Sequence, residues 1–321
     1  MKMQMIDLKE ILPDFFFCFR SQEKLSDETV IAPLQQSIQA SGILTPLIVI
    51  LENSEYKLMS GFRRFTAAQN LEFKQIPVKI CESDDSPHTF FEILLEQSTH
   101  SAFNLIQKSN ILTIASEINM DEPLYLALLD LLDIPAKADL IQQIISMQSF
   151  HPTLKQYIEK YDLSFKQVQS FFMLKLEEQQ LFAELGFELQ IRGVELLKIM
   201  DWTHDIAKRD DESIVNVLLQ NHIVEMIRQA DMPRNEKIER IKTALIHTRF
   251  PKMTELSQQL VELTKQLSLP SQIQIGWDKN HESPGLQLNA RLKKTNDLQA
   301  IQDFLNDDSQ NLILQQIIDL L

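Results

Sequence analysis

The 321-residue sequence predicts an α+β N-terminal domain, an all-α helical domain and a small C-terminal β-hairpin/helix module. Three observations predict it. Residues 47–80 read as apolar run, turn, strand, glycine turn, helix and strand. From Ile111 onward apolar residues recur at helical spacing, without Val/Ile alternation until residue 273. After Pro270, Ile273-Gln274-Ile275 and Leu286 to Leu292 alternate with period two around Pro284-Gly285.

The first domain is organised around Tyr56 to Gln69. Tyr56 to Met59 is a strand, Ser60-Gly61 a tight turn, Phe62 to about Asn70 a helix, and Ile76 to Ile80 a second strand. Gly61 allows positive φ or the close approach of another group. The amides opening the helix are unpaired and carry partial positive charge, which makes that end a ready anion site. Arg63 and Arg64 stand in the first turn, where a cation opposes the helix dipole by about 0.3–1 kcal/mol. A phosphate held by both guanidinium groups would compensate. The alternative is that both point outward or pair with Glu52 and Glu55.

Upstream, Leu34, Ile38 and Ser41 are spaced for a helix over Pro33 to Ser41, and Gly42 stands where a left-handed C-terminal cap would be. Ile43 to Pro46 then leads into the apolar run Leu47 to Leu51, and Asn53-Ser54 turns the chain back to Tyr56. The segments Ser37-Ile38, Gly42-Ile43-Leu44-Thr45-Pro46-Leu47-Ile48-Val49 and Gly61-Phe62-Arg63-Arg64-Phe65-Thr66-Ala67 together resemble the ParB family of DNA-partition proteins. The resemblance spans residues 37–67 in the right order. It implies a ParB/sulfiredoxin-like fold over residues 1–110 that binds a nucleotide, CTP, with Mg²⁺.

Carried over residue by residue, the resemblance assigns nucleotide contacts to Arg20, Thr45, Gly61, Phe62, Arg63, Arg64, Glu96 and Gln97, with Glu96 and Gln97 as the Mg²⁺ side chains. Three positions depart from the family pattern. Phe62 replaces a glutamate, Gln97 replaces an asparagine, and His100 replaces an arginine. Turnover needs a held metal and a stabilised leaving phosphate at once. The expectation is therefore binding with slow or absent CTP hydrolysis. The sulfiredoxin-type phosphotransfer of the related fold needs a cysteine beside the helix-opening arginine, and Gly61-Phe62-Arg63 has none.

The rest of the chain is expected as a helical domain over 111–232, a helical hairpin over 233–269 and a strand-strand-helix dimerisation module over 270–321. Within the helical part, Pro152 to Lys160, the link Tyr161-Asp162-Leu163, and Ser164 to Leu174 form a helix-turn-helix shape capped by Ser164. It resembles the family's DNA-reading unit. Lys166, Gln167, Gln169 and Ser170 would face double-stranded DNA. Local charge is only mildly positive, so a packing module without DNA contact is the rival reading. The basic stretch Arg228 to Lys252 reads as a solvated helix face. The seam Ile238, Ile241, Leu245, then Met253, Leu256, Leu260, Leu263, Leu267, broken at Phe250-Pro251, predicts two antiparallel helices. A terminal helix over Asp297 to Leu305 and two short strands bury little alone, which predicts a homodimer.

Composition bounds the rest. Net charge is −14, which argues against indiscriminate polyanion binding by the whole surface. The two cysteines, Cys18 and Cys81, have no metal spacing and are expected reduced, in a cytoplasmic setting. Cys18 lies among Phe15, Phe16, Phe17 and Phe19, an aromatic run expected to be a buried strand. The seven histidines are scattered, so no zinc is expected, and no haem. The pattern over Met1 to Leu12 is wrong for a signal peptide, and no 18-residue apolar stretch predicts a membrane span. By resemblance the function is partition or transcription regulation gated by CTP, with a partner ATPase. The different-class alternative is a protein-interaction module on the same fold with decayed nucleotide and DNA sites.

Overall fold

The computed structural model describes residues 2–12, 15–20, 28–229, 231–278 and 285–321. Five strands form one mixed sheet: β1 (Lys2–Asp7), β2 (Ile11–Leu12), β3 (Leu47–Glu52), β4 (Glu55–Ser60) and β5 (Gln75–Glu82), in the order β1-β5-β3-β4-β2. β3 and β4 are antiparallel, joined by Asn53 and Ser54 at φ 51° and 67°, the double positive φ that a two-residue hairpin turn requires. The chain then crosses through helix α2 (Phe62–Asn70) to β5, which lies parallel to β3.

Alternation along β3 gives the sheet two apolar faces. Leu47 and Val49 share a cluster with Ile6, Ile11, Leu58, Phe65, Ala68, Ile76 and Val78. Ile50, with Met59 and Cys81, packs instead against Phe90, Ile93 and Leu94 of helix α3 (Ser86–Ser98), and against Ile111, Leu112 and Ala115 of α4 (Leu105–Glu117). Helix α1 (Glu28–Ser41) packs on α2 and ends at Gly42 with φ +70°, the expected left-handed cap. It starts before the predicted Pro33. That proline removes one intrahelical hydrogen bond, but the burial of Ile31 and Ile38 holds the helix through it.

The aromatic run is a correction: Phe15 to Phe19 forms a turn and irregular coil, with the Cys18 N–H donating to the Phe15 carbonyl. Phe17 and Phe19 bury, while Phe15 stays 42% exposed and Cys18 half-buried. Paired burial of rings from a turn satisfies the hydrophobicity that suggested a strand.

Helices α5 (Glu122–Leu131), α6 (Ala138–Ser146), α7 (Pro152–Tyr161), α8 (Phe165–Val168) and α9 (Leu176–Glu188) continue the first of two compact units, Met1–Leu197. Between α8 and α9 the chain is 3₁₀ helix over Gln169–Met173, so the second expected helix is a single α turn followed by a tighter one. Val168, Phe171 and Leu174 are all buried and three residues apart, and a three-residue turn places them on one side. Gln179, 4% exposed, fixes this segment: its carbonyl accepts from the His151 N–H, and its amide donates to the Phe171 and Leu174 carbonyls.

Helix α10 (Gly193–Asp210) precedes the second unit's helices α11 (Ile214–Gln220), α12 (Ile223–Arg228), α13 (Arg234–Arg249) and α14 (Pro251–Gln266). The break at Phe250-Pro251 is where the sequence puts it. The second unit spans Lys198–Leu321. Its basic stretch is largely internally paired: Arg240 with Glu236, Lys242 with Glu239, Arg249 with Asp205, and Lys237 with the Ile227 carbonyl.

Strands β6 (Ile273–Gly276) and β7 (Gln287–Ala290) pair antiparallel, followed by α15 (Thr295–Leu305); Pro284 of the expected turn lies outside the described residues. A further helix, α16 (Asp308–Leu320), was not expected. Leu260 and Leu267 on the α14 side, Ile273, Phe304, and Leu314 and Ile317 of α16 make one buried cluster. No helix among the described residues is long and apolar enough to cross a membrane.

Candidate functional site

The β4–α2 junction sets the site. Gly61 is the N-cap of α2 at φ +98°, with no side-chain cap, and its carbonyl accepts from the Phe65 N–H. A Cβ built on it would lie 2.9 Å from Leu47 Cγ and 3.2 Å from Arg64 Nη2. Glycine is therefore required here by both backbone and space. Phe62, Arg63 and Arg64 of the first turn, where helix amides lack intrahelical partners, line a cavity of about 270 Å³.

That cavity is lined by Arg20, Gly61, Phe62, Arg63, Arg64, Glu96 and Gln97, all expected from the sequence, together with Cys18, Phe19, Met59, Ser60 and His100. Residues from the N-terminal coil, the β4–α2 junction and the end of α3 thus meet. Thr45 is the exception among the expected nucleotide contacts. It is exposed and does not line the cavity; instead its carbonyl, with that of Pro46, accepts from Arg64 Nη1. Arg64 consequently staples the loop before β3 to the cradle. Glu52, one of the acids considered as a surface partner for the arginines, pairs with Lys57 at 2.8 Å.

Electrostatics at the cavity favour an anion. Arg20 Nη2 donates to Gln97 Oε1 at 2.8 Å, while the Nε–H groups of Arg20 and Arg63 are buried without a partner among the described residues. Buried donors with no acceptor are rare and costly, and phosphate oxygens would satisfy them. Burial pushes the Arg20 pKa down, and the neighbouring Arg63 charge adds to that. Burial likewise lowers that of Arg64, opposed by the Glu96 carboxylate. A bound anion would relieve these penalties. The residues present therefore fit the phosphates of a nucleotide.

Cys18 donates its thiol to the Arg20 carbonyl at 3.4 Å, and burial raises its pKa, against the lowering influence of that bond and of the Arg20 and Arg63 charges. Phe62 stacks on Phe15, with centroids 5.8 Å apart and planes inclined by 20°. Phe62 thus sets an aromatic wall at the opening of the helix, as its departure from the family pattern implies. Cys18 stands two residues before Arg20, the one available sequence signal for its place in the cavity.

For Mg²⁺ the donor set is poor. Glu96 and Gln97 both line the cavity, but the Gln97 carbonyl already accepts from a guanidinium group. The described residues hold no cluster of three His, Cys, Asp or Glu side chains able to take a metal.

The cradle is also tied to α7. Asn110 Nδ2 donates to the Phe19 carbonyl at 2.9 Å, Gln148 Nε2 donates to Asn110 Oδ1 at 2.6 Å and to Ser109 Oγ at 2.9 Å, and Lys155 Nζ donates to the Gln148 carbonyl at 2.6 Å. The backbone beside Arg20 is thereby linked, through α4, to the first helix of the segment expected to read DNA.

In that segment Lys166 and Gln169 are exposed and Ser170 half-buried. Gln167 is different: its Oε1 accepts from both the N–H and hydroxyl of Ser164, each at 2.9 Å, as the capping box of α8. Two of the four nearby lysines are also committed. Lys155 is held by the Gln148 carbonyl, and Lys160 lies over the Tyr161 and Phe187 rings at 5.6 and 5.0 Å.

A sequence model of the ParB N-terminal domain matches residues 2–96. The nucleoid occlusion protein of Shouchella clausii is 32% identical over 85 residues, covering 26% of this chain and 29% of that protein. The probable chromosome-partitioning protein ParB of Borreliella burgdorferi is 39% identical over 61 residues, covering 19% of this chain and 24% of that one. The chain thus spans less than a third of the length of these relatives. Among solved structures, the C-terminally truncated ParB of Caulobacter crescentus complexed with CTP-γ-S is similar at 16% identity and a TM-score of 0.26, covering 58% of this chain and 98% of that one. The residues matched by the ParB N-terminal domain, 2–96, enclose the strand, glycine turn and arginine-bearing helix that build the cavity, so the likeness to that family rests on this N-terminal part of the chain.

Proposed function

We propose that this is a ParB-like DNA-binding protein of partition or regulatory type, whose N-terminal cavity holds the phosphates of CTP and whose residues 152–174 meet duplex DNA. The observation that carries the reading is the meeting of Arg20, Arg63 and Arg64 in one cavity beside Gly61, with two buried guanidinium Nε–H groups lacking partners among the described residues. CTP is the nucleotide implied by the family resemblance. Slow or absent hydrolysis follows from Phe62 and from the engagement of Gln97 by Arg20.

DNA contact is assigned to Lys166 and Gln169, which are exposed, with Ser170 beside them. Gln167 contributes through its Nε2 amide alone, since its carbonyl caps the helix. Homodimerisation is assigned to the C-terminal module, where β7 is exposed along its whole length and Leu288, Leu292, Leu298 and Leu312 are 45%, 56%, 49% and 65% exposed. In this reading residues 1–110, 111–232, 233–269 and 270–321 divide the labour among nucleotide, DNA, spacing and dimer contacts, in the cytoplasm.

A second reading, a protein-interaction module with decayed sites, draws on the net charge of −14 and on the internal commitment of Lys155 and Lys160. Fluorescence anisotropy with a mixed-sequence duplex pool across a salt series separates the two. The DNA-binding reading expects binding that weakens steeply with salt, and loss of sequence preference in the Lys166→Ala/Gln169→Ala variant with the fold intact. Absence of salt-sensitive binding to any duplex would move the assignment to the interaction module.

A further inference from the structure

We infer that the cavity neutralises its polyphosphate ligand with arginine and without a divalent cation, an inference that rests on the phosphate-cradle reading above. Mg²⁺ on a nucleotide is normally held by one or two protein carboxylates together with the phosphates. Here the candidate donors are Glu96 and Gln97, adjacent at the end of α3. The Gln97 carbonyl accepts from Arg20 Nη2 at 2.8 Å. A metal ion at that oxygen would have to displace the guanidinium or share the oxygen with it, against direct charge repulsion. Among the described residues that line the cavity Glu96 is the one carboxylate, and its charge already bears on Arg64.

Charge counting agrees. Three guanidinium groups against one carboxylate leave two positive charges in excess at the cavity wall, the same charge that a divalent ion would bring. The buried Nε–H groups of Arg20 and Arg63, without a partner among the described residues, provide directed donors as well as charge. Gln97 consequently acts as a positioning residue: it fixes the Arg20 guanidinium at the cavity instead of holding metal. Arginine in this role differs from Mg²⁺ chemically, because it neutralises phosphate without supplying a Lewis acid to activate water. Retention of bound nucleotide is thereby separated from its hydrolysis.

The test is isothermal calorimetry of CTP into the full-length protein, once with Mg²⁺ and once with EDTA. The expected result is a Kd in EDTA within about threefold of that in Mg²⁺, and a loss of about tenfold or more in EDTA for Arg20→Ala, with circular dichroism confirming the fold. Gln97→Met keeps the length and removes the carbonyl; its expected result is weaker CTP binding to the same extent in both buffers. Wild-type binding seen only with Mg²⁺, or EDTA binding indifferent to Arg20, overturns the inference while leaving a phosphate site in place. No heat in either buffer overturns the phosphate-cradle reading and this inference with it.

Discussion

Replacing Gly186 with alanine is expected to destabilise the protein by about 2–3 kcal/mol, the opposite sign from the usual effect. Alanine in place of glycine inside a helix normally stabilises by about 1 kcal/mol. Gly186 lies within α9, where an added Cβ would meet Tyr157 Cε2 at 2.4 Å and Cζ at 2.9 Å. Tyr157 is fully buried, and its hydroxyl donates to the Ile191 carbonyl at 2.8 Å. The Phe187 ring lies edge-on at 5.5 Å and Tyr161 at 4.7 Å, so the tyrosine has little room to withdraw. Chemical denaturation measures the effect. An unchanged or raised stability would show that Tyr157 does not hold α7 against α9 in this way.

Gly61→Ala is expected to cost about 2–4 kcal/mol and to abolish CTP binding, because backbone strain and overpacking act together. Gly42 provides the internal control. It also has positive φ, at +70°, but a Cβ there meets nothing within 4 Å, so Gly42→Ala should cost only about 1–2 kcal/mol of strain. At Gly61 the added methyl would press on Leu47, which is 0% exposed in the centre of the sheet, and on the Arg64 guanidinium. Equal losses in the two variants, measured by denaturation beside CTP calorimetry, would contradict the close approach at Gly61.

The N-terminal fold was legible because its signals are local. Asn53-Ser54, Gly61 and the apolar periods around them determine hairpin, turn and helix within a few residues. The Phe62–Asn70 helix and both flanking strands stand where those signals place them. The cavity was legible only through resemblance, since Arg20 and Gln97 are 77 residues apart in sequence and meet through the packing of α3 against the sheet. Composition around Cys18 concealed its place, because an aromatic run reads as core whether it forms a strand or a turn. Burial at every third residue from Val168 to Leu174 carried the 3₁₀ signal, but the continuous apolar stretch Phe171 to Leu174 masked it. Nor could the sequence show that Gln179 bonds to three separated backbone groups.

Arg63 and Arg64, adjacent and chemically identical, separate only in the structure. Arg64 holds the Thr45 and Pro46 carbonyls and so positions a loop, whereas Arg63 lines the cavity with its Nε–H unpartnered among the described residues. Arg63→Ala is therefore the cleaner probe of phosphate contact, and Arg64→Ala is expected to loosen the loop as well. Calorimetry of CTP, ATP and GTP into the wild type and Arg63→Ala tests the central claim most directly. The wild type is expected to bind CTP at micromolar or weaker affinity, and Arg63→Ala to lose about tenfold or more with the fold unchanged. Absence of heat with all three nucleotides, or CTP binding indifferent to Arg63, would contradict it.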